Sequence, residues 1–265
     1  MTLSLDRPLL LDLFCKAGGA ARGYHDAGFD VVGVDIEPQP HYPYTFIEAD
    51  ALEYLAAHGG EYDAFHASPE CKGGSAAMSI RTGDEAAQRS AHPELISAVR
   101  PVLAATGKPY IIENVAGYKH LLQTPAMLCG TMFGLKVLRH RYFESSHLLC
   151  VPPHAPHVGT VTGGQFCGPY GQGGAMWIDP KQKHLGRRKG SRRTEDWGRA
   201  MNIDWMNRDE LTQAIPPAYT FFLGLQLKAC IQWNSSTPLS TSATAATAAP
   251  RSRLVIPGPP IARNA

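Results

Sequence analysis

Cys71 sits in a loop between Pro69 and the glycines Gly73 and Gly74. A thiol acts as a nucleophile when it is exposed and its thiolate is favoured. Lys72 beside it would favour the thiolate, whereas Glu70 would oppose it. Glu113 and Asn114 follow the apolar run Tyr110-Ile111-Ile112, a carboxyl and an amide at the end of one element. Arg139 and Arg141 alternate along an extended segment, so period 2 puts both on one face, where their forked donors suit a carbonyl and a phosphate. Ala17-Gly18-Gly19 follows an apolar run and precedes a helical pattern. Such a turn lets a nucleotide-like ligand approach the backbone, and an acid such as Asp35, ending the next run, can accept from ribose hydroxyls. The full G-x-G-x-x-G pattern is absent, and a purely structural turn would look the same.

Two further clusters stand apart. Arg187, Arg188, Lys189, Arg192 and Arg193 form a dense basic run. It would contact phosphates, giving affinity without sequence choice, or be a solvated loop. Cys150, His154, His157 and Cys167 are of metal-ligating types, but their spacing is not that of a zinc finger. Pro152, Pro153 and Pro156 read as a rigid connection, so no metal is assigned.

The elements that must position these residues alternate. Leu9 to Phe14, Val31 to Val34, Phe46-Ile47, Ala64 to Ala67 and Tyr110 to Ile112 read as strands, with helical stretches between them, including His92 to Ala105. This predicts a doubly wound, mainly parallel α/β sheet with helices on both faces, whose ligands sit beyond the carboxyl ends of the strands. From Val151 to Gly198 periodicity is lost and Gly, Pro and His are frequent, which predicts a small irregular lobe. Asp209 to Cys230 is helical again, broken at Pro216-Pro217, and Pro217 can open the last helix. Residues 1–150 and 199–233 then form the main domain, 151–198 the lobe, and 234–265, rich in Ser, Thr, Ala and Pro, a disordered tail.

The 265 residues carry 25 Lys and Arg against 23 Asp and Glu, and 44% are hydrophobic. A core of ordinary size is expected, and an acidic disordered chain and a uniformly basic one are excluded. No apolar stretch approaches a membrane span and the first residues do not read as a secretory signal, so a cytoplasmic protein is expected. Six cysteines without paired spacing fit free thiols in a reducing compartment.

The combination of motifs resembles the DNA cytosine carbon-5 methyltransferases. Asp12-Leu13-Phe14-Cys15-Lys16-Ala17-Gly18-Gly19 resembles their cofactor motif, Ser68-Pro69-Glu70-Cys71-Lys72 their nucleophile loop, Glu113-Asn114-Val115 their Glu-Asn-Val motif and Arg139-His140-Arg141 their Arg-x-Arg motif. Ala214 to Leu227 looks like their closing helix. Five motifs in order span nearly all of residues 9 to 230, in the compact form of the phage and prophage enzymes. The resemblance implies a Rossmann-like methyltransferase fold, S-adenosyl-L-methionine as cofactor, double-stranded DNA as partner, and a monomer whose irregular lobe recognises the DNA. It assigns catalysis to Cys71, Glu113, Asn114, Arg139 and Arg141. It assigns the cofactor to Phe14, Lys16, Ala17, Gly18, Gly19, Asp35, Ile36, Asp50, Pro69 and Ala218, with Ile36 against the adenine and Asp50 near its amino group.

The implied reaction adds the Cys71 thiolate to carbon 6 of a flipped-out cytosine and moves a methyl group to carbon 5, while Glu113 stabilises the ring at nitrogen 3 and Asn114 braces the loop. Lys16, Glu70 and Lys72 depart from the family's usual Gly, Pro and Gln, and Glu70 is expected to pair with Lys16 or Lys72. Two alternatives follow from the departures: a DNA-binding protein of this fold that has lost catalysis, or transfer of a carboxylated methyl group with the lysines meeting the carboxylate.

Overall fold

The structure, a computed structural model, describes residues 7–69, 95–161, 163–169 and 194–236. Seven strands form one sheet: β1 (Leu9–Leu13), β2 (Asp30–Asp35), β3 (Thr45–Glu48), β4 (Ala64–Ala67), β5 (Tyr110–Asn114), β6 (Ala126–Leu128) and β7 (Arg141–Ser145). Their order is β3-β2-β1-β4-β5-β7-β6. The first five run parallel, and β7 is antiparallel to both β5 and β6. This is the doubly wound, mainly parallel α/β sheet expected. The chain reverses its direction of travel between β1 and β4, which makes the carboxyl ends of those strands the crevice of the fold.

Among the described residues six α-helices accompany the sheet: α1 (Gly19–Asp26), α2 (Ala51–His58), α3 (Leu95–Ala105), α4 (Thr194–Met201), α5 (Arg208–Gln213) and α6 (Pro217–Ser236). Strands buried on both faces read as continuous apolar runs, and their side chains divide by period 2. Leu10, Val31, Ala64 and Ile111 join the core beneath α1 and α6, and Leu11, Val32, Phe65 and Ile112 join the core beneath α2 and α3. By the same period Asp12, His66 and Glu113 lie on the α1 and α6 face, all buried.

The helix expected over 92–105 is described from Leu95. Helix α6 runs through Ser236, past the expected start of the tail at 234, and residues 237–265 lie outside the described residues. The lobe boundary placed at 198 falls inside α4, whose Trp197 and Met201 are buried in the main core. Trp197 carries enough apolar area to belong to the core whatever the composition around it. Most of the lobe, including the basic run, is outside the described residues.

Candidate functional site

Parallel pairing brings the carboxyl ends of β1, β2, β4 and β5 to one rim, and antiparallel β7 begins where β5 ends, with Tyr142 opposite Asn114. The turn leaving β1 is strongly bent: Phe14, Lys16 and Gly18 have φ of 58°, 44° and 80°. At two non-glycine positions that backbone costs on the order of 1–3 kcal/mol each, a cost that often marks a functional turn. It also explains why glycine suits position 16.

The turn is fastened to the end of β2. The Lys16 amide donates to Asp35 Oδ2 at 3.0 Å, and Lys16 Nζ reaches Asp35 Oδ1 at 3.4 Å and Glu37 Oε2 at 3.2 Å. Asp35 Oδ1 also accepts from the Glu37 amide at 3.1 Å. Next to this buried carboxylate, Ile36 is 67% exposed, a free apolar face. The Ala17 carbonyl accepts from Trp205 Nε1 at 2.8 Å. Gly19 is also demanded by packing, since a Cβ there would stand 2.5 Å from the Ile215 carbonyl oxygen. Asp50 caps α2, accepting from the Leu52 and Glu53 amides at 2.9 and 3.0 Å. Ala218, in the first turn of α6, lines a separate hollow with Arg22, Asp26, Asn202 and Phe221.

Beneath the turn runs a buried polar strip. Asp12 and His66 are register partners on β1 and β4. Burial, and secondly the nearby Asp35, push the Asp12 carboxyl well above the usual carboxylate range. Tyr42 lies over Gly33, where a Cβ would meet its ring at 2.3 Å. His66 joins Tyr24 Oη to its Nδ1 at 3.0 Å and Ser68 Oγ to its Nε2 at 2.8 Å. Burial pulls its pKa down to about 3, so the ring is neutral. The sequence assigns no role to His66 within its strand, and takes Ser68 only as the first residue of the loop motif that carries Cys71. Their signal was a polar residue inside the apolar strand Ala64–Ala67 with a second polar residue two positions on.

At the other side of the crevice Glu113 is buried and meets Arg141 Nε at 2.9 Å through Oε1. Burial raises the Glu113 pKa, and Arg141 and then Arg139 oppose the rise. Asn114 Nδ2 donates to the Pro69 carbonyl at 3.0 Å, which ties the end of β5 to the segment leading to Cys71. Arg139 is placed otherwise than Arg141. It is fully buried, and its guanidinium donates to the carbonyls of Pro169 at 3.2 Å and Thr212 at 2.6 Å. Its own carbonyl accepts from Tyr219 Oη at 2.5 Å. Arg139 therefore fastens Pro169 of the lobe to the last turn of α5. Glu70, Cys71 and Lys72 lie outside the described residues.

His154 and His157 do not meet Cys150 and Cys167. Cys150 is exposed, and Cys167 Sγ faces the Asp196 carbonyl at 3.8 Å. The two histidines instead approach Cys129 and His140.

Among the described residues no helix is long and apolar enough to cross a membrane. No protein-family model matches the chain, and no curated protein matches it. Its fold is similar to that of the Schizosaccharomyces pombe Dnmt2 methyltransferase, with a TM-score of 0.56, 14% identity, and coverage of 85% of this chain and 99% of that one. A protein assigned as a DNA modification methyltransferase from an E. coli prophage gives a TM-score of 0.37 at 19% identity over 51% of this chain and 45% of its own. Dnmt2 of Spodoptera frugiperda gives 0.37 at 17% identity over 52% and 49%. Those two likenesses are too slight to argue from. The first is a likeness of fold: the chain shares the α/β architecture of that protein.

Proposed function

We propose that this protein transfers a methyl group from S-adenosylmethionine to carbon 5 of cytosine in double-stranded DNA, on a base flipped out of the helix. The observation that carries this reading is the rim of β5 and β7. A buried glutamate with a raised pKa meets an arginine at 2.9 Å, beside an asparagine bonded to the carbonyl two residues before a cysteine. A carboxyl that can share a proton and a nucleophilic thiol are what attack on a pyrimidine ring requires.

The residues of the β1 turn fit the cofactor. A carboxylate has about four acceptor positions, and the Asp35 contacts with the Lys16 and Glu37 amides and Lys16 Nζ leave room for a ribose hydroxyl. Ile36 offers its exposed face to a flat ring. Phe14, Lys16, Ala17, Gly18 and Gly19 would line the cofactor, with Asp50 and Pro69 around it, whereas Ala218 opens onto the separate hollow beside Arg22 and Asp26. When bound, S-adenosylmethionine would supply an electrophilic methyl group.

The chain's own residues do the rest. The Cys71 thiolate adds to carbon 6, forming a carbon–sulfur bond and driving the electron pair of the 5,6 double bond into the ring. Glu113 shares its proton with nitrogen 3 as charge develops there, and Arg141 holds Glu113 and the ring carbonyl. Asn114 keeps the loop in position, and Arg139 positions the strand that carries Arg141. After carbon 5 has taken the methyl group, its proton leaves to water, the carbon–sulfur bond breaks, and the double bond returns with release of the thiolate. Flipping the base costs a few kcal/mol, roughly what unpairing and unstacking require. Lys16 has Asp35 and Glu37 as partners, so its charge does not call for an added carboxylate on the cofactor.

Incubation with tritiated cofactor and duplex DNA, followed by nucleoside mass analysis, tests the reading. The product expected is 5-methylcytosine, and DNA containing 5-fluorocytosine should trap the protein covalently, because fluorine blocks the final elimination. Methylation by Cys71→Ala at the wild-type rate would overturn the mechanism, and a carboxymethylated or unmodified base would overturn the assignment.

A further inference from the structure

Cys129 follows β6 and His140 precedes β7, and Leu128 pairs with Arg141, so the next position outward sets Cys129 opposite His140 at the sheet edge. Residues 151–158 form no helix, strand or turn, and they bring His154 and His157 onto that corner. One ligand atom from each of the four residues lies within 4.8 Å of every other. Cys129 Sγ is 3.3 Å from His157 Nε2, and His157 Nε2 is 3.0 Å from His154 Nε2. Thr131 Oγ1 stands beside the group, 3.4 Å from Cys129 Sγ and 3.3 Å from His154 Nε2. Among the described residues the buried Nε2 of His140 has no hydrogen-bond partner, and its ring stacks on His157 with centroids 5.1 Å apart.

Hydrogen bonding accounts poorly for this arrangement. Three imidazoles and a thiol turn toward one point, and each neutral ring has one donor for two nitrogens. A shared cation satisfies all four lone pairs together. Tetrahedral zinc, with bonds of about 2.0–2.1 Å to nitrogen and about 2.3 Å to sulfur, sets its ligand atoms roughly 3.3–3.6 Å apart. The contacts of 3.0 and 3.3 Å lie close to that spacing.

We infer that Cys129, His140, His154 and His157 form a structural zinc site. Four protein ligands leave no open position, so the ion holds the chain and does not meet substrate. It replaces the proton of the Cys129 thiol, which is released to water on binding. The site would staple the proline-rich segment, which has no regular structure of its own, to the corner of β6 and β7. His140 lies between Arg139 and Arg141, so the same ion fixes the strand that delivers Arg141 to Glu113.

The test is the metal content of the full-length chain, purified without chelator and measured by mass spectrometry. About one zinc per chain is expected. After removal of zinc, cobalt alone should restore one equivalent and show the visible bands of tetrahedral cobalt, with a thiolate charge-transfer band that disappears in Cys129→Ser. His154→Ala with His157→Ala should lose the zinc, whereas His58→Ala, at an exposed histidine paired with Glu61, should keep it. His157→Cys keeps a ligand and should retain zinc with a stronger cobalt charge-transfer band. These readouts do not depend on activity. Wild-type protein that contains no zinc and takes up none on titration would overturn the inference, as would full zinc retention by the double histidine variant.

Discussion

His66→Gln should change how stability depends on pH. An unfolded histidine titrates near 6.5, and burial holds His66 at about 3 in the folded protein. Between these values the unfolded chain binds a proton that the folded chain refuses. Stability is therefore full above the unfolded pKa and is lost as the pH falls toward the folded one, by about 1.4 kcal/mol per unit. Lowering the pH from about 7.5 to about 5 crosses roughly 1.5 units of that window and should cost about 2 kcal/mol. Domains of this kind have only about 5–15 kcal/mol in total, so the change is readily measured. Glutamine keeps a neutral polar group between Tyr24 and Ser68 but cannot titrate. Urea unfolding of both proteins at the two pH values isolates the term, because every other histidine is common to both. The variant should start less stable at the higher pH and lose about 2 kcal/mol less on acidification. Parallel losses in the two proteins would refute the buried, neutral His66.

Three further outcomes are expected. Lys16 occupies a left-handed backbone at φ 44°, so Lys16→Gly should be more stable than Lys16→Ala by about 1 kcal/mol in urea unfolding, since both lose the ammonium but only glycine relieves the turn. Arg100 holds the buried Glu144 through two contacts of 2.7 and 2.8 Å, and Arg100→Met should destabilise by about 3 kcal/mol because the carboxylate is left buried and unpaired, a loss that thermal unfolding will register. Asp35→Ala should weaken S-adenosylmethionine binding by about 1–3 kcal/mol, and calorimetry showing unchanged affinity would remove Asp35 from the cofactor site.

The five parallel strands were legible because a strand packed on both faces is mostly apolar, as the runs Leu9-Leu10-Leu11 and Tyr110-Ile111-Ile112 are. The polar residues at their ends were legible for the complementary reason: Asp35, Glu113 and Asn114 interrupt those runs where a ligand would bind. The antiparallel edge was not. Ala126–Leu128 has three residues and no alternation of its own, and it becomes a strand only because β7 returns beside β5. Trp197 was assigned to the lobe because the chain before it is polar and glycine-rich, yet its ring is buried in the main core.

Residue types and their order alone determined an α/β sheet, a bent glycine turn, and a carboxyl and an amide at the end of the fifth strand. What they could not decide is which of two similar residues touches which partner. Arg139 and Arg141 are the same residue two positions apart, and only the packing of Pro169 and Thr212 against one, and of Glu113 against the other, separates their tasks. Likewise, spacing along the chain offered Cys150 and Cys167 to the two lobe histidines, and the antiparallel return of β7 offered Cys129 and His140 instead. Side chains distant in sequence meet through strand register and burial, and those are properties of the folded chain.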